Sequence, residues 1–309
     1  MSSCRHTIVH SRLPIVRPRL LPFTLHPLPP SSSRLHPFSP LIPEGHKLHR
    51  LARDQSKPLT GQRVEVCSPQ GRFAEEAEQL NGAVVERIEA NGKHLFYRFT
   101  HPDRDLDQPN WHVHLGLYGK YRTFADSEPE RRGAIRVSLR TPSYGFHLVG
   151  PNQCELLDDD GVAAIAERLG PDPLRRDADP QRFHDLLAKS RVAIGTLLLD
   201  QKVIAGIGNI YRADLLHAEQ IDPQRRGCDL SDDERERLWT RSAEWLRRGV
   251  KYNRIITADP DTVGKTYGRM NADERLLIYK KERCPTCSGP TEQLALANRR
   301  LDWCPNCQY

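Results

Sequence analysis

No stretch of the sequence approaches the ~18 to 20 consecutive apolar residues that a membrane-spanning helix needs, so we expect a soluble protein without a membrane partner. Acidic residues and lysine are missing from the first 42 residues, which nevertheless hold five arginines and eight of the 24 prolines. Because each proline removes a backbone donor and interrupts a helix, we expect residues 1–42 to be a disordered leader. Organelle targeting is a minor alternative, since no amphipathic pattern accompanies the missing acids.

The full chain of 309 residues is long enough for two domains, and its 38% apolar and 28% charged residues are ordinary for a globular protein. The formal net charge of +6 comes mainly from the leader, because the remaining 267 residues hold 41 basic and 40 acidic side chains. Residues 241–309, however, carry thirteen Lys and Arg against eight Asp and Glu. This local excess favours a polyanionic partner.

Two Cys-x-x-Cys pairs lie near the C-terminus with sixteen residues between them: Cys284 and Cys287, then Cys304 and Cys307. Two residues between ligands let both sulfurs of a pair reach one tetrahedral ion, and this separation is typical of zinc sites. We therefore predict one structural Zn2+ held by the four cysteines. Two disulfides in a secreted chain are the alternative, which the lack of a secretory signal disfavours. Another alternative is a zinc finger that only fixes the C-terminus and binds no polyanion.

The segment after the leader opens with a helix signal and continues as short strands. Pro43 and Glu44 precede a run in which Leu48, Leu51 and Ala52 share one face. Asn-Gly pairs at 81–82 and 91–92 are hairpin signals. We predict an antiparallel β-sandwich or barrel, with strands at 64–66, 83–89, 93–99, 111–118, 134–139 and 144–149.

Beyond residue 158 the apolar period becomes helical. We predict helices near 161–169, 180–189, 192–201, 209–218 and 231–250. Before the fourth of these, Gly206 and Gly208 are followed by Asn209, which we expect to cap the helix. Exposed N–H groups at such a helix start suit a phosphate oxygen. An ordinary tight turn between helices is the alternative.

Five motifs in this order resemble the formamidopyrimidine-DNA glycosylase and endonuclease VIII family of DNA repair enzymes. They are Pro43-Glu44, Asn-Gly-Lys-His-Leu at 91–95, Leu-Gly-Pro-Asp-Pro-Leu at 169–174, Asp-Gln-x6-Gly-Asn-Ile-Tyr at 200–211, and the four cysteines. Pro-Glu-Gly-His at 43–46 and Leu-Tyr-Gly at 117–119 look closer to the endonuclease VIII side. The resemblance implies an α+β fold with a catalytic β-sandwich domain at 43–157, a helix-two-turn-helix domain at 158–262, and a linker with a zinc finger at 263–309.

The resemblance also assigns catalytic roles. A free Pro43 would present a secondary amine that attacks C1′ of the damaged nucleotide and yields an iminium that stays cationic. Glu44 would protonate the sugar ring oxygen and move protons during elimination of the 3′ and then the 5′ phosphate. A carboxylate favoured by a helix dipole is compatible with that role. Lys93 would reach a phosphate at the lesion, whereas a hairpin lysine is otherwise a solvated charge.

Damaged double-stranded DNA is the partner that the resemblance implies. Asn209 and Arg299 would contact phosphates, which position a duplex without reading its sequence, and Arg300 could replace Arg299. Leu117 and Tyr118 are candidates for the wedge that fills the gap left by a flipped base. A buried strand end is the alternative for both residues.

His112 and His114 are two residues apart on a predicted strand, so they point to the same face. Two histidines with no third ligand nearby are more often core or groove-facing residues than a metal site. We interpret them in that way.

We therefore predict a bifunctional DNA glycosylase and AP lyase for oxidised bases, with a preference for pyrimidines, acting as a monomer in the bacterial cytoplasm at the nucleoid. Family members begin at the catalytic proline, whereas 42 residues precede Pro43 here, and a proline nitrogen inside a chain is an amide without a usable lone pair. Either the leader is removed or never made, or the chain is a catalytically silent zinc-finger protein that binds damaged DNA. A zinc-ribbon RNA-binding protein would leave Pro43-Glu44 and the turn at 206–209 unexplained.

Overall fold

The computed structural model describes residues 43–309, and the predicted leader at 1–42 lies outside the described residues. Within 43–309, no helix combines the length and the apolar character needed to cross a bilayer. The helices of this part are α1 (Gly45–Leu59), α2 (Ala74–Leu80), α3 (Asp159–Arg168), α4 (Pro180–Ala188), α5 (Ile194–Leu197), α6 (Asn209–Ala218), α7 (Asp232–Tyr252) and α8 (Pro260–Val263). The strands are β1 (Glu65–Cys67), β2 (Val84–Asn91), β3 (His94–Thr100), β4 (Asn110–His114), β5 (Lys120–Ala125), β6 (Ile135–Arg140), β7 (Tyr144–Val149), β8 (Gln153–Leu157), β9 (Glu292–Leu296) and β10 (Arg299–Trp303).

Two four-stranded antiparallel sheets form the first part of the fold, in the orders β1-β6-β7-β5 and β2-β3-β4-β8. Their inner faces share one apolar core, because alternate residues of each strand point inward. Tyr97 and Trp111 of one sheet stack at 4.7 Å between ring centroids, and Phe146 of the other lies 6.2 Å from Trp111. The predicted antiparallel sandwich is confirmed.

Several details of the sandwich differ from the prediction. Strand β4 ends at His114, so the predicted continuation to Tyr118 is wrong and residues 115–119 form a loop. Helix α2 and strands β5 and β8 were not predicted from the sequence. The two strands lack an alternating buried face, because β5 exposes most of its side chains and β8 buries one of five. The Asn-Gly pair at 91–92 forms the β2–β3 turn as predicted, whereas the pair at 81–82 connects α2 to β2 and forms no hairpin.

The helices after residue 158 pack around α6, which is buried along its length. The helix predicted at 192–201 is reduced to the four residues of α5. Helix α7 begins with a capping box, in which the Ser231 and Glu234 side chains each bind the other's backbone N–H. Leu301 and Trp303 of the terminal hairpin belong to the same apolar cluster as α6. The finger therefore packs on the helices, while the sandwich has a core of its own.

We expect Trp111→Ala to lower the free energy of unfolding by about 3–5 kcal/mol, because it leaves a large cavity between the sheets. Urea denaturation followed by circular dichroism measures the change. Val192→Ala is the control: Val192 is 48% exposed, and we expect a change within about 0.5 kcal/mol. Similar losses for both variants would show that the Tyr97–Trp111–Phe146 stack is not central to stability.

Candidate active site

A cleft of about 610 Å³ opens where the sandwich, the helices and the finger meet. Its wall includes five segments: the β2–β3 turn, the β4–β5 loop, the segment after α5, the start of α6 and the finger turn. Five of the residues with an expected catalytic or DNA-contacting role line it: Pro43, Lys93, Leu117, Asn209 and Arg299. Side chains from distant parts of the chain thus share one cavity.

Glu44 lies at the N-terminus of α6 and is 1% exposed. Its Oε2 accepts a hydrogen bond from Gly208 N at 2.7 Å, and its Oε1 accepts one from Ile210 N at 2.9 Å. Burial raises the pKa of Glu44 above its usual value, although the positive charge of Lys93 and these N–H donors act in the opposite direction. The carboxyl group can therefore retain a proton at a higher pH than an exposed glutamate.

Two backbone N–H groups at the start of α6, those of Gly208 and Ile210, bind this carboxylate, so these two are not available to a phosphate oxygen. Gly208 is the N-cap residue and Asn209 is the first residue of the helix. The prediction that Asn209 caps the helix is therefore wrong. Glu44, 164 positions earlier in the chain, supplies the capping oxygens.

Glycine is required where α1 meets the turn before α6. Gly45 N donates to Gly206 O at 2.8 Å, and a Cβ on Gly45 would lie 2.6 Å from Gly206 Cα. Gly206 has a φ of +95°, a conformation that side chains rarely adopt. This close backbone approach carries the start of α1, with Pro43 and Glu44, to the start of α6.

Lys93 lies in the β2–β3 turn and is not a solvated surface charge. Its Nζ donates to Ile207 O at 2.6 Å. Burial lowers the pKa of Lys93 to about 8, with Arg299 acting in the same direction and Glu44 opposing both. The Ile207 carbonyl belongs to the same peptide unit as Gly208 N, which binds Glu44. One peptide unit therefore connects the lysine to the carboxylate.

Two polar residues that the sequence reasoning did not single out hold these turns. Gln201 accepts from Gly206 N at 3.0 Å through Oε1 and donates through Nε2 to Ile207 O at 2.9 Å. Asp172 is buried and accepts from Gly92 N at 2.7 Å, beside Lys93. Both lie within motifs, at 200–211 and 169–174. Gln201 binds backbone groups five and six residues further along the chain, whereas Asp172 binds one 80 residues earlier. Their positions within the two motifs were the one sequence signal that could have identified them as functional residues.

Asn209 makes its contacts within the protein. Its Nδ2 donates to Arg300 O at 2.9 Å, and its Oδ1 accepts from Arg212 Nη2 at 2.5 Å. Arg212 is fully buried, and its Nη1 also donates to Gly195 O at 2.9 Å. Sequence reasoning missed Arg212, because a helix arginine ordinarily points to solvent. It fixes the Asn209 side chain next to the finger.

Arg299 and Arg300 follow the turn of the β9–β10 hairpin, and their surroundings differ. The turn consists of Ala297 and Asn298, both with positive φ, which suits the twist of a two-residue hairpin. Arg299 lines the cleft. The guanidinium of Arg300 pairs with Asp302 at 2.7 Å. Arg299 is thus the finger arginine directed toward the main cleft.

Leu117 and Tyr118 occupy the β4–β5 loop and are 38% and 73% exposed. The alternative that they form a buried strand end is therefore wrong, and Leu115 is the buried residue of this segment. Leu117 lines the cleft, whereas Tyr118 is not part of its wall. Both present apolar surface to solvent.

His112 belongs to a hydrogen-bonded row on the outer face of β3, β4 and β8. Its Nδ1 lies 2.9 Å from Glu155 Oε1, and its Nε2 lies 2.8 Å from His94 Nδ1. Burial lowers the pKa of His94 to about 3 and also lowers that of His112, so both rings are neutral at pH 7. The carboxylate then fixes the tautomers, with His112 donating to Glu155 and accepting from His94. His114 lines the cleft, and its buried Nδ1 has no partner among residues 43–309.

The four predicted zinc ligands form one cluster, in which every sulfur lies within 4.8 Å of the others. Cys284 Sγ is 3.8 Å from Cys307 Sγ, and Cys287 Sγ is 3.6 Å from Cys304 Sγ. These separations exceed a disulfide bond of about 2.05 Å. They fit the sulfur separation of about 3.8 Å that tetrahedral coordination with Zn–S bonds of about 2.3 Å produces. Among the described residues, no other cluster of this kind is present.

Two family models match the chain. The formamidopyrimidine-DNA glycosylase N-terminal domain matches residues 42–153, and the formamidopyrimidine-DNA glycosylase H2TH domain matches residues 169–261. Endonuclease 8 1 of Mycobacterium tuberculosis is 41% identical over 273 residues, covering 86% of this chain and 100% of the relative. A formamidopyrimidine-DNA glycosylase of Symbiobacterium thermophilum is 28% identical over 291 residues, covering 87% and 89%.

Solved structures of the Lactococcus lactis formamidopyrimidine-DNA glycosylase are also similar. Its complex with DNA containing N7-benzyl-Fapy-dG has a TM-score of 0.70 at 23% identity, covering 86% of this chain and 99% of that one. Its complex with DNA containing an abasic site has a TM-score of 0.69 at 24% identity, with the same coverage. These similarities confirm the α+β fold that the sequence predicted.

Gly208→Ala should displace Glu44 from the start of α6. A Cβ at position 208 would lie 2.5 Å from Glu44 Cδ, so the carboxylate must move and lose its two N–H donors. We expect the free energy of unfolding to fall by about 1–3 kcal/mol, because buried polar groups lose their partners. Urea denaturation at pH 7 measures this.

Gly268→Ala is the matched control, since its Cβ would meet no atom within 4 Å. We expect it to change stability by less than about 1 kcal/mol. If the two variants behaved alike, the contact between Gly208 and Glu44 would have no energetic importance.

Proposed function

The chain belongs to the formamidopyrimidine-DNA glycosylase family, and from that premise we propose that it excises oxidised bases, chiefly pyrimidines, from double-stranded DNA and then cleaves the strand as an AP lyase. The observation that carries the proposal is the position of Pro43 on the cleft wall next to the buried carboxylate of Glu44. A nucleophile and a proton donor adjacent in sequence can act on one sugar. Identity of 41% with an endonuclease 8, against 28% with a formamidopyrimidine-DNA glycosylase, agrees with the endonuclease VIII side of the resemblance, on which the proposed preference for pyrimidines rests.

The first proposed step is attack by the free amine of Pro43 on C1′ of the damaged nucleotide. The N–C1′ bond forms while the bond from C1′ to the base breaks, and the base leaves with a proton. Glu44, whose pKa is raised by burial, donates a proton to the ring oxygen as the sugar opens to a Schiff base. Loss of a C2′ proton then expels the 3′ phosphate, and a second elimination expels the 5′ phosphate.

This chemistry requires Pro43 to be the first residue, because a proline nitrogen in a peptide bond is not nucleophilic. We therefore assign activity to a form in which Pro43 carries a free amine. The N-terminal family model begins at residue 42, which supports this assignment. So does the mycobacterial relative, whose whole length corresponds to 86% of this chain.

Phosphate contacts from Lys93, Asn209 and Arg299 would hold the duplex over the cleft. These side chains come from the sandwich, α6 and the finger of a single chain, which supports action as a monomer. The exposure of Leu117 and Tyr118 supports their role as the wedge that fills the gap after base flipping. The relatives described above are bacterial, which supports a location at the nucleoid in the cytoplasm.

One structural Zn2+ would be held by the four clustered cysteines, Cys284, Cys287, Cys304 and Cys307. When bound, the ion supplies a cross-link between the two knuckles and contributes to the folding free energy of the finger. The cysteines thereby keep the β9–β10 turn, and with it Arg299, directed toward the cleft. Three of the four are buried, which supports a structural site closed to substrate.

Borohydride trapping tests the proline mechanism. The full-length protein and a form beginning at Pro43 are incubated with borohydride and duplex DNA carrying an oxidised pyrimidine or an abasic site. We expect a covalent protein–DNA adduct from the short form alone, because only its proline is a secondary amine. Mass spectrometry verifies each N-terminus.

Two variants of the short form serve as controls. Pro43→Gly should trap less, and Glu44→Gln should slow base excision by about 100-fold or more, the usual contribution of a general acid. Equal trapping by uncleaved full-length protein would refute the proline mechanism. No trapping by either form would favour a catalytically silent protein that binds damaged DNA.

Arg299→Ala should weaken binding to lesion-containing duplex irrespective of flanking sequence. Loss of one cationic phosphate contact should reduce the slope of log K against log salt by about one unit. Arg300→Ala is the matched control, since its guanidinium already pairs with Asp302, and its salt slope should equal that of the wild type. Fluorescence anisotropy over a salt series measures both, and the reverse pattern would make Arg300 the phosphate ligand.

A further inference from the structure

His217 joins α6 to the cysteine cluster. It is the penultimate residue of α6 and is 5% exposed. Its Nε2 lies 3.3 Å from Cys284 Sγ, within hydrogen-bond distance for sulfur. Among residues 43–309, the ring has no other hydrogen-bond partner.

Metal coordination would fix the direction of this hydrogen bond. A zinc-bound cysteine is a thiolate and has no proton to give. The Nε2–H of His217 must then be the donor, which also fixes the tautomer of the ring. Thr286 N lies 3.4 Å from the same sulfur. The Cys284 sulfur would thus accept one hydrogen bond from its own knuckle and one from α6.

The second knuckle is anchored to the same end of α6 by an independent contact. Gln308 is buried, and its Oε1 accepts from Cys304 N at 2.8 Å while its Nε2 donates to Ile221 O at 2.9 Å. Ile221 N in turn donates to Leu216 O at 2.9 Å. Both knuckles are therefore tied to the C-terminal end of the helix whose N-terminus binds Glu44.

We propose that His217 is an outer-sphere residue of the zinc site, donating a hydrogen bond from Nε2–H to the Cys284 thiolate and thereby slowing zinc release and fixing the finger to α6. The proposal rests on the zinc site proposed above. A hydrogen bond to a ligand sulfur lowers its negative charge and orients it toward the metal, and outer-sphere partners commonly change metal affinity by about 10–100-fold.

Zinc release into a chromophoric chelator tests this in the intact chain. His217→Phe keeps the ring volume and removes the donor, and we expect release about 10–100-fold faster than from the wild type. His217→Gln carries an amide nitrogen at the position of Nε2 and should restore most of the slow release. His184→Phe is the control, because this half-buried histidine lies on α4 beside Glu236, and it should release zinc at the wild-type rate.

A second measurement needs no variant. In wild-type protein loaded with cadmium-113 and labelled with nitrogen-15 histidine, the hydrogen bond should give a scalar coupling between the metal and the His217 Nε2–H proton. Wild-type release from His217→Phe, equal acceleration in His217→Phe and His217→Gln, or absence of the coupling would each overturn the role of His217. Wild-type protein that folds with well under one zinc per chain would instead overturn the zinc site itself.

Discussion

The peptide unit between Ile207 and Gly208 lies between the two charged groups on which the cleft depends. Its carbonyl accepts from Lys93 Nζ and its N–H donates to Glu44. Because the C=O and N–H of a trans peptide point in opposite directions, this unit holds the lysine and the carboxylate on opposite sides. Each hydrogen bond polarises the amide in the sense that strengthens the other. This one amide therefore connects the start of α1, the β2–β3 turn and the start of α6.

This arrangement also explains the opposite pKa changes of the two groups. Burial favours the neutral form of each, raising the pKa of Glu44 and lowering that of Lys93 to about 8, while their mutual attraction favours both charged forms. A fully paired, fully solvated couple would remain ionised throughout the neutral range. Desolvation instead raises the pKa of the acid and brings that of the amine down to about 8, changes of the kind that occur at functional sites.

The sequence predicted the features that depend on local spacing: the sandwich strands with alternating apolar residues, the α6 and α7 helices, and the two cysteine pairs. It failed where a distant group decides the structure. Asn209 has the residue type of an N-cap, but the capping oxygens come from Glu44. Asp172 binds a turn that is remote in sequence, and Gln201 binds an irregular turn nearby. Strand β5 has no buried face, so its residues show no alternating apolar pattern. The roles of Pro43 and Glu44 came from the family resemblance, since a Pro-Glu pair by itself predicts only the start of a helix.

Ala297 and Asn298 determine which side of the finger hairpin carries which charge. Successive side chains of a strand point to opposite faces, so Arg299 is directed to the cleft while Arg300 shares its face with Asp302. Inserting or deleting one residue in the turn would exchange the two faces throughout β10. The identity of the arginine that reaches the cleft is therefore a property of loop length, and a hairpin that gained or lost one residue could conserve both arginines and still present the wrong one.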